Sequence, residues 1–116
     1  MKYFLTIFFF LCYSPFIHAQ DWQNKPMKLI VPFPAGGGTD AVARALANKL
    51  GSQINQSIIV ENKSGANGVI GADFVARSVP DGSTILLTIA SHAIAPAVTK
   101  KIPYSTDTAT KSVSVL

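Results

Sequence analysis

The sequence predicts an α/β fold built as a parallel βαβαβ block. Apolar, strand-like runs begin near residues 28, 57 and 84 at almost equal spacing, and stretches with helical periodicity separate them. The first run, Lys28-Leu29-Ile30-Val31, is almost continuously apolar, as expected for a strand covered on both faces of its sheet. Strands that alternate with helices in this way pair in parallel through right-handed crossovers.

The first nineteen residues have the pattern of a secretory signal peptide. Lys2 supplies the positive start, an apolar segment at 3–13 is too short to span a bilayer, and Ala19 is the small residue before the expected cleavage point. The single cysteine of the chain, Cys12, lies inside that segment. We therefore expect neither disulfides nor thiolate metal sites in the mature chain.

Four regions follow from this division. They are a signal peptide, an N-terminal lead-in, an α/β lobe and a divergent tail, at residues 1–19, 20–26, 27–104 and 105–116 respectively.

The first helix is predicted to start at Thr39 or Asp40 and to end at Gly51. Thr and Asp side chains cap helix N-termini, and glycine is frequent just after the last helical turn. Between these ends, apolar residues recur at helical spacing at Val42, Ala43, Leu46, Ala47 and Leu50.

The later elements are predicted by the same signals. They are a strand at 57–61, a glycine-containing loop at 64–68, a helix from Ile70 to Arg77, a Val-Pro-Asp-Gly turn at 79–82, a strand at 84–89 and a short helix at 93–99.

Three loops should meet at one edge of this sheet. The loops at 33–40, 64–68 and 90–92 each follow a predicted strand, and the carboxyl ends of parallel strands share one edge. Open α/β sheets bind ligands at that edge. The sequence therefore predicts a ligand crevice lined by the three loops.

The first loop carries the clearest chemical signal. It reads Phe33-Pro34-Ala35-Gly36-Gly37-Gly38-Thr39-Asp40, and glycines without Cβ atoms let backbone N–H groups approach a ligand closely. The following helix directs its partly positive N-terminus at the same place. The loop is interpreted as a cradle for a small anion, with a tight turn of purely structural role as the alternative. Asp40 is interpreted as a capping and loop-positioning residue, or as a contact for the amine of an amino-acid ligand.

Charge and catalytic patterns exclude several classes. Ten Lys and Arg stand against six Asp and Glu, for a net charge of +4, and the positive residues are scattered, so nucleic acid is not an expected partner. His92 has no neighbouring catalytic group in the sequence, and Ser64 and Ser91 lack the context of an activated nucleophile. We expect no enzyme activity, metal or cofactor.

One enzyme class remains as an alternative. Gly36-x-Gly38-x-x-Ala41 satisfies the dinucleotide fingerprint, and Glu61 ends the second strand where a ribose-binding acid would lie. This pattern would indicate a fragment of an NAD-dependent oxidoreductase. The residues at 32–35, which separate the strand from the glycines, and the second glycine loop after Glu61 argue against it.

Three ordered segments resemble a known family. They read KLIVPFPAGGGTD at 28–40, VENKSGANGVIGA at 60–72 and PDGST at 80–84. Together they resemble the Bug family, also called TctC-like: periplasmic solute-binding receptors of tripartite tricarboxylate transporters in Gram-negative bacteria. The resemblance covers residues 25–104. It implies the first lobe of a type II periplasmic-binding-protein fold, which closes around a small carboxylate such as a di- or tricarboxylate, an amino acid or an aromatic acid, with the membrane components of the transporter as partners.

The resemblance also implies a set of ligand-binding residues in the three loops. They are Phe33, Ala35, Gly36, Gly37, Gly38, Thr39, Asp40, Ala66, Asn67, Gly68, Ser91 and His92. The backbone N–H groups at 36–39 and the hydroxyls of Thr39 and Ser91 are donors suited to a carboxylate.

Members of the family are much longer than this chain. The resemblance therefore implies an N-terminal fragment with the second lobe missing, and residues 105–116 depart from the family pattern. We expect either a solute-binding lobe or an exported remnant that binds nothing. Either product should be marginally stable or associate, because its outer strands have open edges.

Overall fold

The computed structural model describes residues 25–99, 101–105 and 109–111. The predicted signal peptide and most of the predicted lead-in lie outside these residues. The elements are β1 (Met27–Val31), α1 (Gly38–Ile54), β2 (Ile58–Asn62), a 3-10 turn (Ala66–Gly68), α2 (Val69–Ala76), β3 (Thr84–Leu86) and α3 (Ser91–Val98). The predicted α/β class and the βαβαβ order are confirmed. No helix within the described ranges is both long and apolar enough to cross a membrane.

The three strands form one parallel sheet in the order β2-β1-β3. In this register Leu29 lies opposite Val60 on one side and Ile85 on the other. The chain thus leaves β1 towards one side and returns to the opposite side for β3. With right-handed crossovers, α1 and α2 then lie on opposite faces of the sheet. The point where the strand order reverses is the place where open α/β sheets bind ligands.

The main core lies between the sheet and α1. Leu29 and Val31 of β1 pack against Ala43 and Ala47, and all four side chains are buried. Side chains alternate between the two faces of a strand. Residues of β2 and β3 in register with Leu29 therefore lie on the same face of the sheet as Leu29. Partly buried residues around this core are Phe33, Leu46, Ile58, Val60, Ile85 and Leu87.

The opposite face of β1 is covered by α2. Ile30 is fully buried there, and α2 packs on β1 and β3. Gly71 allows this helix to lie close to the first loop, because a Cβ atom at this position would be 2.7 Å from Pro32 Cβ and 2.9 Å from the Lys63 carbonyl oxygen. The packing of α2 therefore also sets the position of the chain just after β1.

The predicted ends of α1 were both wrong. The N-cap residue is Gly37, in extended backbone and without a side-chain cap, so neither Thr39 nor Asp40 caps the helix. At the other end the helix continues through Gly51, and Asn55 adopts the left-handed conformation, with φ of 51°. Gly51 serves a close approach instead, because a Cβ atom there would lie 2.8 Å from the Gln56 carbonyl oxygen.

The other boundaries differ by small shifts. β3 ends at Leu86 and not at residue 89, because its last ladder bond is from the Leu87 N–H to the Ile30 carbonyl and β1 stops before Pro32. β2 begins one residue later than predicted and includes Asn62, and α3 begins at Ser91. The shifts of β2 and α3 place Asn62 and Ser91 at the edge of the sheet where the loops meet.

Candidate functional site

The three loops meet at the carboxyl edge of the sheet. Gly68, at the end of the second loop, is buried against the first loop: a Cβ atom there would be 3.5 Å from Pro32 Cβ and 3.7 Å from Phe33 Cζ. The second loop also packs against α3, with Asn67, Gly68 and His92 lying around this contact. The second loop therefore contacts both the first loop and the third, whereas a ligand crevice between them stays a prediction.

The first loop is held by a network around one carboxylate. Asp40 is 4 % exposed, and its Oδ2 accepts hydrogen bonds at 2.9 Å from the Gly36 backbone N–H and from Arg44 Nε. Its Oδ1 accepts a bond of 2.9 Å from Asn62 Nδ2. The hydrogen bonds from these donors lower the pKa of Asp40 to about 2, and the bond from Arg44 has the largest effect. The carboxylate is therefore charged at neutral pH and fully engaged by the protein.

This network decides which backbone donors a ligand could reach. The Gly36 N–H points to Asp40 and is occupied. The N–H groups of Gly38 and Thr39 lie in the first turn of α1, where the helix itself offers no acceptor, and no side chain caps this helix end. Gly38 is exposed and Thr39 is half-buried. The available anion donors are thus at the start of α1 and not in the middle of the glycine run.

The second loop has an unusual backbone. Four consecutive residues have positive φ, namely Gly65, Ala66, Asn67 and Gly68, with φ of 133°, 46°, 53° and 90°. A non-glycine residue such as Ala66 adopts this conformation at a cost. Such strain is retained where the surrounding structure or a function demands it. Ala66 and Asn67 are exposed.

The third wall combines α3 with the chain that follows it. Tyr104 stacks on His92 with ring centroids 6.0 Å apart and an angle of 10° between the planes. Burial raises the pKa of the Tyr104 hydroxyl. The Ser91 hydroxyl oxygen is buried and has no hydrogen-bond partner among residues 25–99, 101–105 and 109–111. A buried hydroxyl without a partner has donor capacity that a ligand or water could use.

The predicted site residues thus occupy one edge, with different exposure. Ala35, Gly36, Gly37, Gly38, Ala66 and Asn67 are exposed, Phe33, Thr39, Ser91 and His92 are half-buried, and Asp40 and Gly68 are buried. Sequence reasoning missed three residues that the fold adds, namely Arg44, Asn62 and Tyr104. The four-residue spacing of Asp40 and Arg44 on a helix could have indicated their pairing, whereas nothing local in the sequence connects Asn62 to the first loop.

Three observations on the described residues concern metal and dinucleotide binding. Among the described residues there is no group of three or more His, Cys, Asp or Glu side chains that could hold a metal ion. Glu61, the residue proposed for ribose in the dinucleotide alternative, pairs with Lys28 Nζ at 2.8 Å and lies 3.7 Å from Lys63 Nζ. The strand order β2-β1-β3 also differs from the 3-2-1 arrangement of dinucleotide-binding folds.

Comparison with known proteins places the chain in a family. The model of the tripartite tricarboxylate transporter family receptor (TctC) matches residues 42–116. Protein BugT of Bordetella pertussis is 42 % identical over 90 residues, which are 76 % of this chain and 28 % of that protein.

Solved structures agree with this match. The periplasmic binding protein BugD is 44 % identical with a TM-score of 0.71, over 74 % of this chain and 29 % of that chain. Rpa4515 of R. palustris with adipate is 33 % identical with a TM-score of 0.70, over 75 % and 29 %. MatC from Rhodopseudomonas palustris with bound malate is 35 % identical with a TM-score of 0.67, over 72 % and 29 %.

The fold is therefore that of the α/β first lobe of a periplasmic binding protein. The chain belongs to the tripartite tricarboxylate transporter receptor family, TctC, together with the Bug proteins. It spans less than a third of the length of the relatives it matches.

Proposed function

We propose that this chain supplies one side of a site for a small carboxylate in an extracytoplasmic receptor of a tripartite tricarboxylate transporter. The three loops together form that side. The observation that carries the proposal is the uncapped start of α1, which lies at the same edge of the sheet as the other two loops. Adipate and malate, the ligands named for two structural relatives, are both dicarboxylates. A carboxylate is the kind of group that exposed helix amides bind.

Neutral donors would do most of the recognition. Arg44 is already bonded to Asp40, and Lys63 lies near Glu61 and over the Phe74 ring, 4.2 Å from its centroid. Among the described residues, the donors left for a carboxylate include the Gly38 and Thr39 amides and the hydroxyls of Thr39 and Ser91. Binding by such dipoles depends less on salt than binding by free surface cations.

Calorimetric titration of the purified chain with malate and with adipate tests the proposal. We expect heat of binding with both acids and none with their neutral diamides. Thr39→Val removes the hydroxyl while keeping the shape, and should weaken binding about fivefold, the value of one hydrogen bond. Thr84→Val in β3 is the matched control and should leave the affinity unchanged. Absence of binding to either acid would favour the exported chain that binds nothing.

We further infer that the chain is exported and loses residues 1–19. The support is the signal-peptide pattern before Gln20 together with relatives described as periplasmic binding proteins. Intact-mass measurement of protein released from the periplasm should give a chain that begins at Gln20. An Ala19→Lys variant should keep its leader, because a large charged residue does not fit the cleavage site. A full-length mass for the unaltered chain would contradict the inference.

A further inference from the structure

We propose that Asn62 is a positioning residue for the first loop: it clamps the two ends of the loop and so sets the direction of the α1 amides. The proposal rests on the proposed function, since it assigns a task to a residue that would not itself touch the carboxylate. Neither the glycine pattern nor the predicted ligand set includes Asn62.

The geometry is that of one side chain bonded to both ends of a loop. Asn62 Nδ2 donates to the Phe33 carbonyl oxygen at 3.1 Å and to Asp40 Oδ1 at 2.9 Å. Phe33 lies near the start of the loop and Asp40 at its junction with α1. Asn62 can reach both because it is the last residue of β2 and pairs in register with Val31, the last residue of β1.

The clamp closes through Arg44. Arg44 Nη2 donates to Asn62 Oδ1 at 3.3 Å, and Arg44 Nε donates to Asp40 Oδ2 at 2.9 Å. The same Asp40 oxygen accepts the Gly36 N–H. Three side chains therefore form a ring, and it holds the Asp40 carboxylate where it accepts the Gly36 N–H.

This arrangement separates positioning from contact. The donor group and the carbonyl oxygen of the Asn62 side chain are both bonded to protein groups, so Asn62 can affect a ligand only through the loop. A loop already fixed in its binding shape loses less conformational freedom when a ligand arrives. Removal of the clamp should therefore weaken binding without removing any ligand contact.

The first test needs no ligand. In the chain expressed from the complete 116-residue sequence, Asn62→Ala should increase the hydrogen-exchange rate of the Gly36 amide at least tenfold. The reason is that Asn62 no longer holds the Asp40 carboxylate in its hydrogen bond with this amide. Asn48→Ala, an exposed asparagine in the middle of α1, is the matched control and should leave Gly36 exchange unchanged. If Gly36 exchanges equally fast in the original chain and in Asn62→Ala, the clamp does not exist.

The second test asks whether Asn62 and Asp40 affect ligand binding through the same loop. With malate as the probe, Asn62→Ala should raise Kd about tenfold, and Asp40→Asn should raise it comparably. The double variant should be no weaker than either single variant, since both changes release the same loop. Additive effects would overturn the proposal, because they would indicate that Asn62 acts independently of Asp40.

The two tests also separate this proposal from the proposed function. If malate does not bind the original chain but Asn62→Ala still speeds Gly36 exchange, the proposed function fails for this chain and the clamp stands. If malate binds equally well to the original chain and to Asn62→Ala, the clamp has no role in binding and the proposed function stands.

Discussion

At the scale of single residues, Asp40 resolves an apparent conflict at the proposed site. A carboxylate at the start of a helix competes with an anionic ligand for the same backbone donors. Here the side chain turns back towards the Gly36 N–H and is neutralised by Arg44. The charge of Asp40 is therefore paired within the protein, and the amides of Gly38 and Thr39 remain available to a ligand.

Asp40 should make the fold sensitive to acid in a defined window. Its folded-state pKa of about 2 lies below the ordinary value of 3.8. Its contribution is therefore complete only above about pH 5 and is lost as the pH falls through the unfolded value towards 2. Asp40→Asn should lower the melting temperature at pH 7, and its difference from the original chain should shrink between about pH 5 and pH 2. Thermal unfolding at several pH values measures this.

Other acids do not account for the expected change. The pKa values of Glu61 and Asp81 are also lowered, by hydrogen bonds from Lys28 and Ser83, but both groups are present in the two proteins compared and cancel in the difference. A melting-temperature difference that stays constant from pH 7 to pH 2 would show that the Asp40 charge does not stabilise the fold.

At the scale of elements, two glycines near the first loop have opposite roles. Gly71 of α2 faces Pro32 and the Lys63 backbone at distances that leave no room for a Cβ atom, whereas Gly38 at the start of α1 has nothing within 4 Å of such an atom. The first glycine is required for packing between α2 and the loop. The second leaves space beside the donors that a ligand would use.

The pair Gly71→Ala and Gly38→Ala tests this difference. Gly71→Ala should destabilise the fold by about 1–3 kcal/mol, the usual range for overpacking, because its neighbours include backbone atoms that cannot move aside. Gly38→Ala should be neutral or slightly stabilising, because alanine favours the helix. Denaturant unfolding of both variants gives the two values. Equal stability for Gly71→Ala and the original chain would contradict the close packing of α2 on Pro32.

The helices and strands also show how much of the fold and of the candidate site could be predicted from the sequence. β1 was predicted with its observed end and within one residue of its observed start, because its apolar run stops at Pro32, which cannot donate to a strand ladder. The end of α1 was missed because the glycine at 51 resembles a helix stop, while Asn55 takes the left-handed position. Asn62 was missed because its bond to Asp40 spans 22 positions and depends on the parallel register of β1 and β2. Local sequence patterns predict helices and strands. Partners such as Asn62 and Asp40 are found only when the pairing of the strands is known.

At the scale of the whole molecule, the sheet is covered unevenly. α1 lies on β1 and β2, whereas α2 lies on β1 and β3, so the α2 side of β2 has less cover. Ile59 lies there, in register with Lys28, and is 45 % exposed. Within the described residues, β2 and β3 each pair with β1 alone, which leaves the outer edge of each strand open.

This uneven cover predicts self-association of the 116-residue chain. An open edge strand next to an exposed apolar side chain is a surface on which other chains can pair. Sedimentation velocity at increasing concentration should show a rising weight-average mass. Ile59→Glu should suppress the rise, because it places a charge on the edge strand and faces Lys28 with the opposite sign. Val42→Glu changes a similarly exposed residue on α1, 51 % exposed, and should not suppress the rise. A mass that stays monomeric at every concentration, or equal suppression by both variants, would show that the β2 edge does not drive association.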